Sequence, residues 1–337
     1  MDKFERVINA FENRKPDRVP VFPILGDHAG TLQGLGIDQM YKDPVVAADA
    51  HLKAFKYYDY DVLSIQVEPS WPMVDDCGGE VRYSADKYPW VEKEPIQVPE
   101  DLQDLKIPNF KTAPKSSVLV EGTRLLAEKA DAPIAAFVAG PLTFSLQIFP
   151  YMEFMMLCKT DKGFVKRLIK KSVGIINSYS KALKDAGANL LIVSEHDIQM
   201  FSPQFARENV LPYLSEVFTY DYNMLHMCGK VEKHLADNES EFKKLNALNL
   251  LSISHDVNLR KMQKLFKGYF GIAGNVDHIN LLPFGKPREV EQKCREIIEA
   301  GKEQEGYMLA PGCEITIDVP PDNIEAMVRA AKRYGRL

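Results

Sequence analysis

The stretch GANLLIVSEHD, residues 187–197, decides the fold class. Its glycine ends a long segment of helical periodicity, residues 161–186, and a short apolar run, residues 190–194, follows at once. An apolar run of this length between a helix and charged residues is typical of a strand that is buried on both faces. The residues directly after the run are polar: Glu195, His196 and Asp197. The stretch therefore predicts a parallel strand with reactive side chains at its carboxyl end.

The same alternation of short apolar runs and helical segments continues along the chain. The predicted strands cover residues 19–25, 62–67, 134–139, 190–194, 224–227, 251–254, 269–273 and 308–310. The clearest predicted helices cover residues 44–58, 116–130, 161–186 and 321–334. Eight alternations predict a (β/α)₈ barrel, the TIM barrel, as a single domain over residues 1–337. A doubly wound sheet is disfavoured because residues 34–36, Gly-Leu-Gly, lack the third glycine of a phosphate loop.

One segment interrupts this rhythm, at about residues 77–114. It contains a Gly-Gly pair, several prolines and the short alternating stretches EVRYS and YPWVEKE. Glycines and prolines between short alternating stretches are typical of turns between short strands. We therefore expect a hairpin and loop inserted after the second strand.

Composition narrows the class of protein. The chain is 45% hydrophobic and 26% charged, values typical of a folded globular protein, and its net charge of −5 disfavours a nucleic-acid partner. The most apolar run, residues 133–149, is too short and too interrupted to span a membrane, and the first residues resemble no signal peptide. Five cysteines, an odd number, suit a reducing compartment. We expect a cytoplasmic protein without disulfides.

Reactive side chains recur directly after the predicted strands. In a barrel these positions form one rim, where the active site lies. The residues concerned are Asp27, His28, Glu68, Glu195, His226, Cys228, His255, Asp256, Asn275, Asp277 and Cys313. Their placement predicts an active site at this rim.

His226 and Cys228 lie two residues apart on a predicted strand, so their side chains point to the same face. Cys313 follows the last strand in a tight Ala-Pro-Gly-Cys loop. One imidazole and two thiolates with a vacant fourth position is a zinc arrangement that suits catalysis, and its low net charge favours alkyl transfer to sulfur over hydrolysis. The alternative is that the cysteines are small core residues and the histidine bonds to the backbone.

Several motifs at and around these residues resemble the uroporphyrinogen decarboxylase superfamily, in particular its cobalamin-dependent methyltransferase branch. They are PIAAFVAGP at 133–141, HMCG at 226–229, GNVD at 274–277 and APGCE at 310–314. The resemblance implies that His226, Cys228 and Cys313 bind Zn²⁺. It also implies methyl transfer between the cobalt of a corrinoid protein and a thiol such as coenzyme M.

Other residues receive roles from the same resemblance. Glu195 is a candidate for the fourth zinc position or for accepting the thiol proton, and its alternative role is to cap a helix. Four more residues are candidates to line the cavity and contact the corrinoid, or else cap helices: Asp27, His28, Asp256 and Asn275.

The expected partners are a corrinoid protein and a small thiol or methylated substrate, and a homodimer is compatible with the fold. The methionine-rich stretch 151–158 predicts a helix that packs into the core rather than a contact surface.

Three alternative functions stay open. The same site could demethylate a methylated small molecule, or the barrel could bind zinc without catalysis. Porphyrinogen decarboxylation is disfavoured because residues 23–30, PILGDHAG, lack the arginines of the decarboxylase motif. Asp27, Glu68 and Glu195 would also repel a polycarboxylate substrate.

Overall fold

A parallel sheet of seven strands organises the part of the chain that the structure, a computed structural model, describes: residues 1–65 and 70–337. The strands in the described residues are β1 Leu63–Ser64, β2 Glu80–Arg82, β3 Trp90–Lys93, β4 Ile134–Ala139, β5 Leu190–Ser194, β6 Tyr222–Met227, β7 Leu250–Ile253, β8 Gly271–Ala273 and β9 Tyr307–Met308. Strands β2 and β3 form a separate hairpin, and the other seven form the parallel sheet. The order across the sheet is β1-β4-β5-β6-β7-β8-β9, and every neighbouring pair is parallel. The sheet is curled, and its carboxyl ends form one rim.

Helices connect these strands. They are α1 Lys3–Phe11, α2 His28–Thr31, α3 Ile37–Met40, α4 Pro44–Tyr58, α5 Ser70–Asp76, α6 Ser116–Lys129, α7 Pro141–Ile148, α8 Tyr151–Thr160, α9 Lys162–Asp185, α10 Pro203–Asn209, α11 Leu211–Val217, α12 Glu232–Asp237, α13 Glu239–Phe242, α14 Leu259–Leu265, α15 Leu281–Phe284, α16 Pro287–Gly301 and α17 Pro321–Tyr334, with 3₁₀ turns at Pro99–Gln103 and Asp197–Met200. Helix α4 begins where the sequence predicts, because Asp43 caps it and a proline fills its first position. None of the described helices has both the length and the apolar character needed to cross a bilayer.

The strands are buried on both faces, which explains their continuous apolar sequences. In β4, Ala135 and Phe137 pack inside the curl of the sheet, whereas Ile134, Ala136 and Val138 pack against the surrounding helices. Successive residues of a strand point to opposite faces, so two apolar layers need apolar residues at every position.

The first predicted strand, residues 19–25, is not a regular strand. Val21 makes one isolated parallel bridge to Leu309, and its carbonyl accepts a hydrogen bond from the Asp61 N–H at 3.0 Å. Pro20 and Pro23 have no N–H to donate, so a continuous ladder cannot form here. The segment therefore contacts both edges of the sheet, and the prediction of eight regular strands is wrong by this one among the described residues.

Strands β2 and β3 pair antiparallel in a sheet of their own, with Val81 opposite Val91. They lie within the segment predicted as an insertion. That this segment is an insertion, and that the chain is one domain, stay predictions. The end of the second predicted strand and the rim residue Glu68 fall in 66–69, outside the described residues.

Helix α8 corrects one expectation about packing. Phe154 is its fully buried residue, whereas Met152 is 71% exposed and Met156 is 52% exposed. Both methionines are offset from Phe154 by two residues, which is about half a helical turn, so they face solvent. The predicted core packing of this methionine-rich stretch is therefore wrong for these two residues.

Candidate metal centre

Three potential metal ligands meet at the carboxyl rim of the sheet. His226 belongs to β6, Cys228 follows that strand, and Cys313 lies in the loop after β9. One nitrogen of His226 and the two Sγ atoms all lie within 4.8 Å of one another. The chain thus brings together donors that are far apart in sequence.

The His226 imidazole is held in one orientation. Its Nδ1 lies 2.9 Å from Oγ of Ser252, a fully buried residue of β7, while its Nε2 is buried without a hydrogen-bond partner among the described residues. An unsatisfied buried nitrogen is costly. A neutral imidazole that donates from Nδ1 keeps its lone pair on Nε2, which is the usual state of a metal-ligating histidine. This nitrogen fits a metal ion.

The two thiols have the chemistry that such an ion needs. The neighbouring Cys228 thiol and burial raise the pKa of Cys313 to about 12. Without a nearby cation this thiol therefore stays protonated, whereas a coordinating divalent ion deprotonates it. Two sulfurs and one imidazole nitrogen form a donor set that suits Zn²⁺.

Glu195 lies next to this group but caps a helix. Its carboxylate accepts hydrogen bonds from the N–H of Leu142 at 2.9 Å, the N–H of Thr143 at 2.8 Å and the Thr143 hydroxyl at 2.7 Å, all at the start of α7. A Cβ on Gly140 would collide with this carboxylate. Burial raises the pKa of Glu195 to about 7. It is not part of the three-donor group, and its catalytic role stays a prediction.

Two further imidazoles lie beside the donors. The rings of His255 and His278 are 5.2 Å apart in an edge-on arrangement. Nδ1 of His278 would lie 3.2 Å from a Cβ on Gly312, the neighbour of Cys313. Burial, followed by the nearby His255 and His226, lowers the pKa of His278 to about 4.

His278 is absent from the predicted site. The signal for it is its position directly after Asp277, a predicted rim residue. His255 itself lies 3.6 Å from Asp256 and 3.8 Å from Asp277, measured between its Nε2 and the nearest carboxylate oxygen.

The four residues expected to contact a corrinoid lie in different surroundings. Asp27 is buried, accepts a hydrogen bond from the Tyr41 hydroxyl at 3.4 Å, and its N–H donates to Glu314 at 3.3 Å. Burial raises the pKa of Asp27 to about 7. Nε2 of His28 lies 2.9 Å from the hydroxyl of Tyr58 in α4, and burial lowers the pKa of His28 to about 4.

The other two lie between β7 and β8. The amide of Asn275 donates to the carbonyls of Ser254 at 3.0 Å and Val257 at 2.8 Å, so it ties the two strand ends together. Asp256 has a 42% exposed side chain beside His255. Corrinoid contacts from all four residues stay predictions.

The chain is similar to known proteins in sequence and in fold. The family model described as uroporphyrinogen decarboxylase (URO-D) matches residues 2–334. The methylcobamide:CoM methyltransferase MtbA of Methanosarcina mazei is 24% identical over 255 residues, which cover 73% of this chain and 72% of that protein. The methylated-thiol–coenzyme M methyltransferase of the same organism is 25% identical over 205 residues, 59% of this chain and 53% of that protein.

A solved structure of a methyltransferase from Methanosarcina mazei has a similar fold. It superposes with a TM-score of 0.89 at 20% sequence identity and covers 99% of both chains. The curled sheet and its surrounding helices are therefore a known arrangement.

Proposed function

Because the chain belongs to the uroporphyrinogen decarboxylase family of enzymes, we propose that it transfers a methyl group between a corrinoid protein and a thiol, with Zn²⁺ bound by His226, Cys228 and Cys313. The convergence of these three donors within 4.8 Å carries the proposal, together with the buried Nε2 of His226, which has no hydrogen-bond partner in the described part of the chain. The names of the methyltransferase relatives support it.

The residues of this chain would hold and orient the reacting sulfur. Bound Zn²⁺ would keep the acceptor thiol as a thiolate at neutral pH. Ser252 fixes the imidazole of His226, and Cys228 and Cys313 supply the two thiolates from separate strands. The transfer would form a sulfur–carbon bond and break a carbon–cobalt bond, whose electron pair would stay on the corrinoid, and the thiol proton would leave to solvent.

The acidic surroundings of the site argue against the decarboxylation for which the family is named. Asp27 is 3% exposed and lies against Glu314, the residue after Cys313. No arginine occurs in residues 23–30. A porphyrinogen carries several carboxylates, which these acids would repel.

Thioether demethylation is the second candidate. The methylated-thiol relative favours it, since that name describes a methylated sulfur compound as the donor. The same three ligands would serve this reaction, with the sulfur as the leaving group. An assay that supplies a methyl thioether and a reduced corrinoid distinguishes this direction from methylation of a thiol.

Metal analysis with a spectroscopic assay tests the proposal. We expect about one zinc per wild-type chain and thiol-dependent demethylation of methylcobalamin, followed by its absorbance. Cys228→Ser and Cys313→Ser should each lose the zinc and lower the rate by roughly 100-fold or more, because a three-ligand site does not hold the ion with one ligand missing.

Cys158→Ser is the matched control, since this half-buried thiol lies on α8 outside the donor group. It should keep both the zinc and the rate. Circular dichroism checks that each variant is folded. Full activity after removal of all metal, or zinc retained in both ligand variants, would reject the proposal.

A further inference from the structure

Three methionines are exposed on the elements that follow β4 and β5. Met152 and Met156 are the two exposed methionines of α8, and Met200, in the 3₁₀ turn after β5, is 53% exposed. A single exposed apolar side chain needs no explanation, but three on neighbouring elements form a surface that a partner would cover. Methionine is flexible and polarisable, so it suits contact with a partner that docks and leaves. We call these three residues the methionine surface.

Helix α8 packs against the segment that carries Met200. The ring of Phe154 in α8 meets the ring of Phe201 edge-on, with 5.9 Å between the ring centroids. Phe201 also stacks on Phe205 of α10, with 4.5 Å between the centroids. Because Phe201 directly follows Met200, the three methionines belong to elements that meet at this aromatic contact.

Met200 also borders the loop of the metal centre. The side chain of Gln199 accepts a hydrogen bond from the N–H of Lys230 at 3.2 Å. A Cβ on Gly229 would collide with the same side chain, so Gln199 lies directly against the residue after Cys228. The methionine surface therefore begins beside a proposed zinc ligand, over which a methyl carrier has to dock.

Lysines flank the methionine surface. Lys159 follows Met152 and Met156 at the spacing of one helix face. Lys162 begins α9 and lines a small cavity of about 150 Å³ between α8 and α10. Lys230 belongs to the loop of the metal centre. All three lysines are exposed, and none has an ion-pair partner within residues 1–65 and 70–337.

The acids nearby do not balance these lysines. Asp161 caps α9, and Glu208 accepts a hydrogen bond from Gln204 at 2.8 Å, so both carboxylates are engaged within the chain. Helix α8 contains one acid, Glu153. The surface is therefore basic although the whole chain has a net charge of −5. Such a local excess of positive charge attracts a partner with an acidic face.

We propose that the methionine surface and its flanking lysines dock the corrinoid carrier protein, and that the carrier presents carboxylates around an apolar centre. The inference rests on the proposed function. A carrier bound here would contact the loop of Cys228, as methyl transfer requires. A second copy of this chain is a poorer occupant, because a two-fold contact would bring lysines against lysines.

Kinetics with two methyl donors test the proposal: a methylated corrinoid protein purified from the source organism, and free methylcobalamin. Lys162→Glu should raise the KM of the corrinoid protein about tenfold, because it places a negative charge opposite the carboxylates of the carrier. Met156→Ser should raise it about threefold through lost apolar contact. Neither variant should change the KM of methylcobalamin. Raising NaCl from about 50 to about 300 mM should raise the wild-type KM of the corrinoid protein severalfold.

Lys129→Glu is the matched control, because Lys129 is an exposed lysine in the last turn of α6, before the amino end of β4. Circular dichroism checks that each variant is folded. Calorimetric binding of the corrinoid protein needs no turnover and should be weakened by Lys162→Glu and Met156→Ser but not by the control.

Equal KM values of the corrinoid protein in all variants, or a wild-type KM that does not respond to salt, would overturn the inference. A wild-type dimer in sedimentation that Met156→Ser dissociates would assign the surface to a second copy instead. Absence of methyl transfer from methylcobalamin to any thiol would reject the proposed function, while the calorimetry would still test the surface.

Discussion

Two buried aspartates at opposite ends of the sheet have very different surroundings. Asp61, just before β1, accepts hydrogen bonds from the guanidinium groups of Arg6 and Arg18 and from the N–H of Val21, at 2.8 to 3.0 Å. Asp27, at the carboxyl rim, accepts one side-chain hydrogen bond, at 3.4 Å, from the residues that the structure describes. Both are almost fully buried.

The different hydrogen bonding of the two carboxylates leads us to expect that Asp61 serves stability and that Asp27 serves function. A buried carboxylate with full compensation costs the fold little, and removing it leaves its cationic partners unpaired. A buried carboxylate with little compensation is retained only at a cost in stability, which is typical of residues at functional sites. In barrels the amino ends of the strands serve stability and the carboxyl ends serve the reaction, and we expect these two aspartates to follow that division.

The largest effect should come from the amino end. Asp61→Ala leaves Arg6 and Arg18 without their shared partner, so the free energy of unfolding should fall by about 3–5 kcal/mol. Urea denaturation measures this loss. Zinc content should not change, and Asp49→Ala, at an exposed position of α4, should cost no more than about 0.5 kcal/mol. A stable Asp61→Ala protein that loses zinc would show that Asp61 supports the metal site rather than the stability of the fold.

A smaller effect, which depends on pH, should come from Asp27. Burial raises the pKa of its folded-state carboxyl from 3.8 to about 7, so the folded protein favours the protonated form. This contribution to stability is fully present below pH 3.8 and is lost as the pH rises through 7. Between pH 5 and pH 8 the wild type should lose about 2–3 kcal/mol more than Asp27→Asn.

Urea midpoints at the two pH values, with a chelator in every sample, measure this difference. The chelator prevents zinc binding from adding its own pH dependence. Asp49→Asn, on the surface, should follow the wild type. An Asp27→Asn protein with the same pH profile as the wild type would show that this carboxyl is compensated in solution.

The smallest effect should come from Ser252, which lies behind the proposed metal ligand His226. Ser252→Ala removes the partner of His226 Nδ1, so zinc should bind about tenfold more weakly, a change of about 1.4 kcal/mol. Competition with a chromogenic chelator measures the affinity. Ser254→Ala is the control, because Ser254 lies directly after β7 and its hydroxyl is next to His255, not His226; this variant should bind zinc as the wild type does. Equal affinities in both serine variants would remove Ser252 from the site.

The strands could be predicted where the apolar sequence was uninterrupted. Strands β4 and β5 begin and end at the predicted residues, because each is an unbroken apolar run buried on both faces. Residues 19–25 have the same apolar character, but the two prolines remove the donors of a regular ladder. Apolar content alone does not report hydrogen-bonding capacity, and that is why this strand was predicted wrongly.

The candidate site could be predicted only in part, for a similar reason. The two-residue spacing of His226 and Cys228 identifies a shared face from sequence alone. Ser252 and His278 carry no comparable signal, because their importance depends on how β7 and β8 pack beside β6. The exposure of Met152 and Met156 likewise depends on which face of α8 meets the core.

The contacts of residues 19–25 have a consequence for the order of folding. The N–H of Leu309 donates to the Pro20 carbonyl at 2.9 Å, and the N–H of Asp61 donates to the Val21 carbonyl at 3.0 Å. The first of these bonds joins residues near opposite ends of the chain, and contacts between such distant positions form late because loop closure costs entropy. The curl of the sheet should therefore close last, so in refolding experiments the amides of Leu309 and Asp61 should gain protection from hydrogen exchange after those of β5.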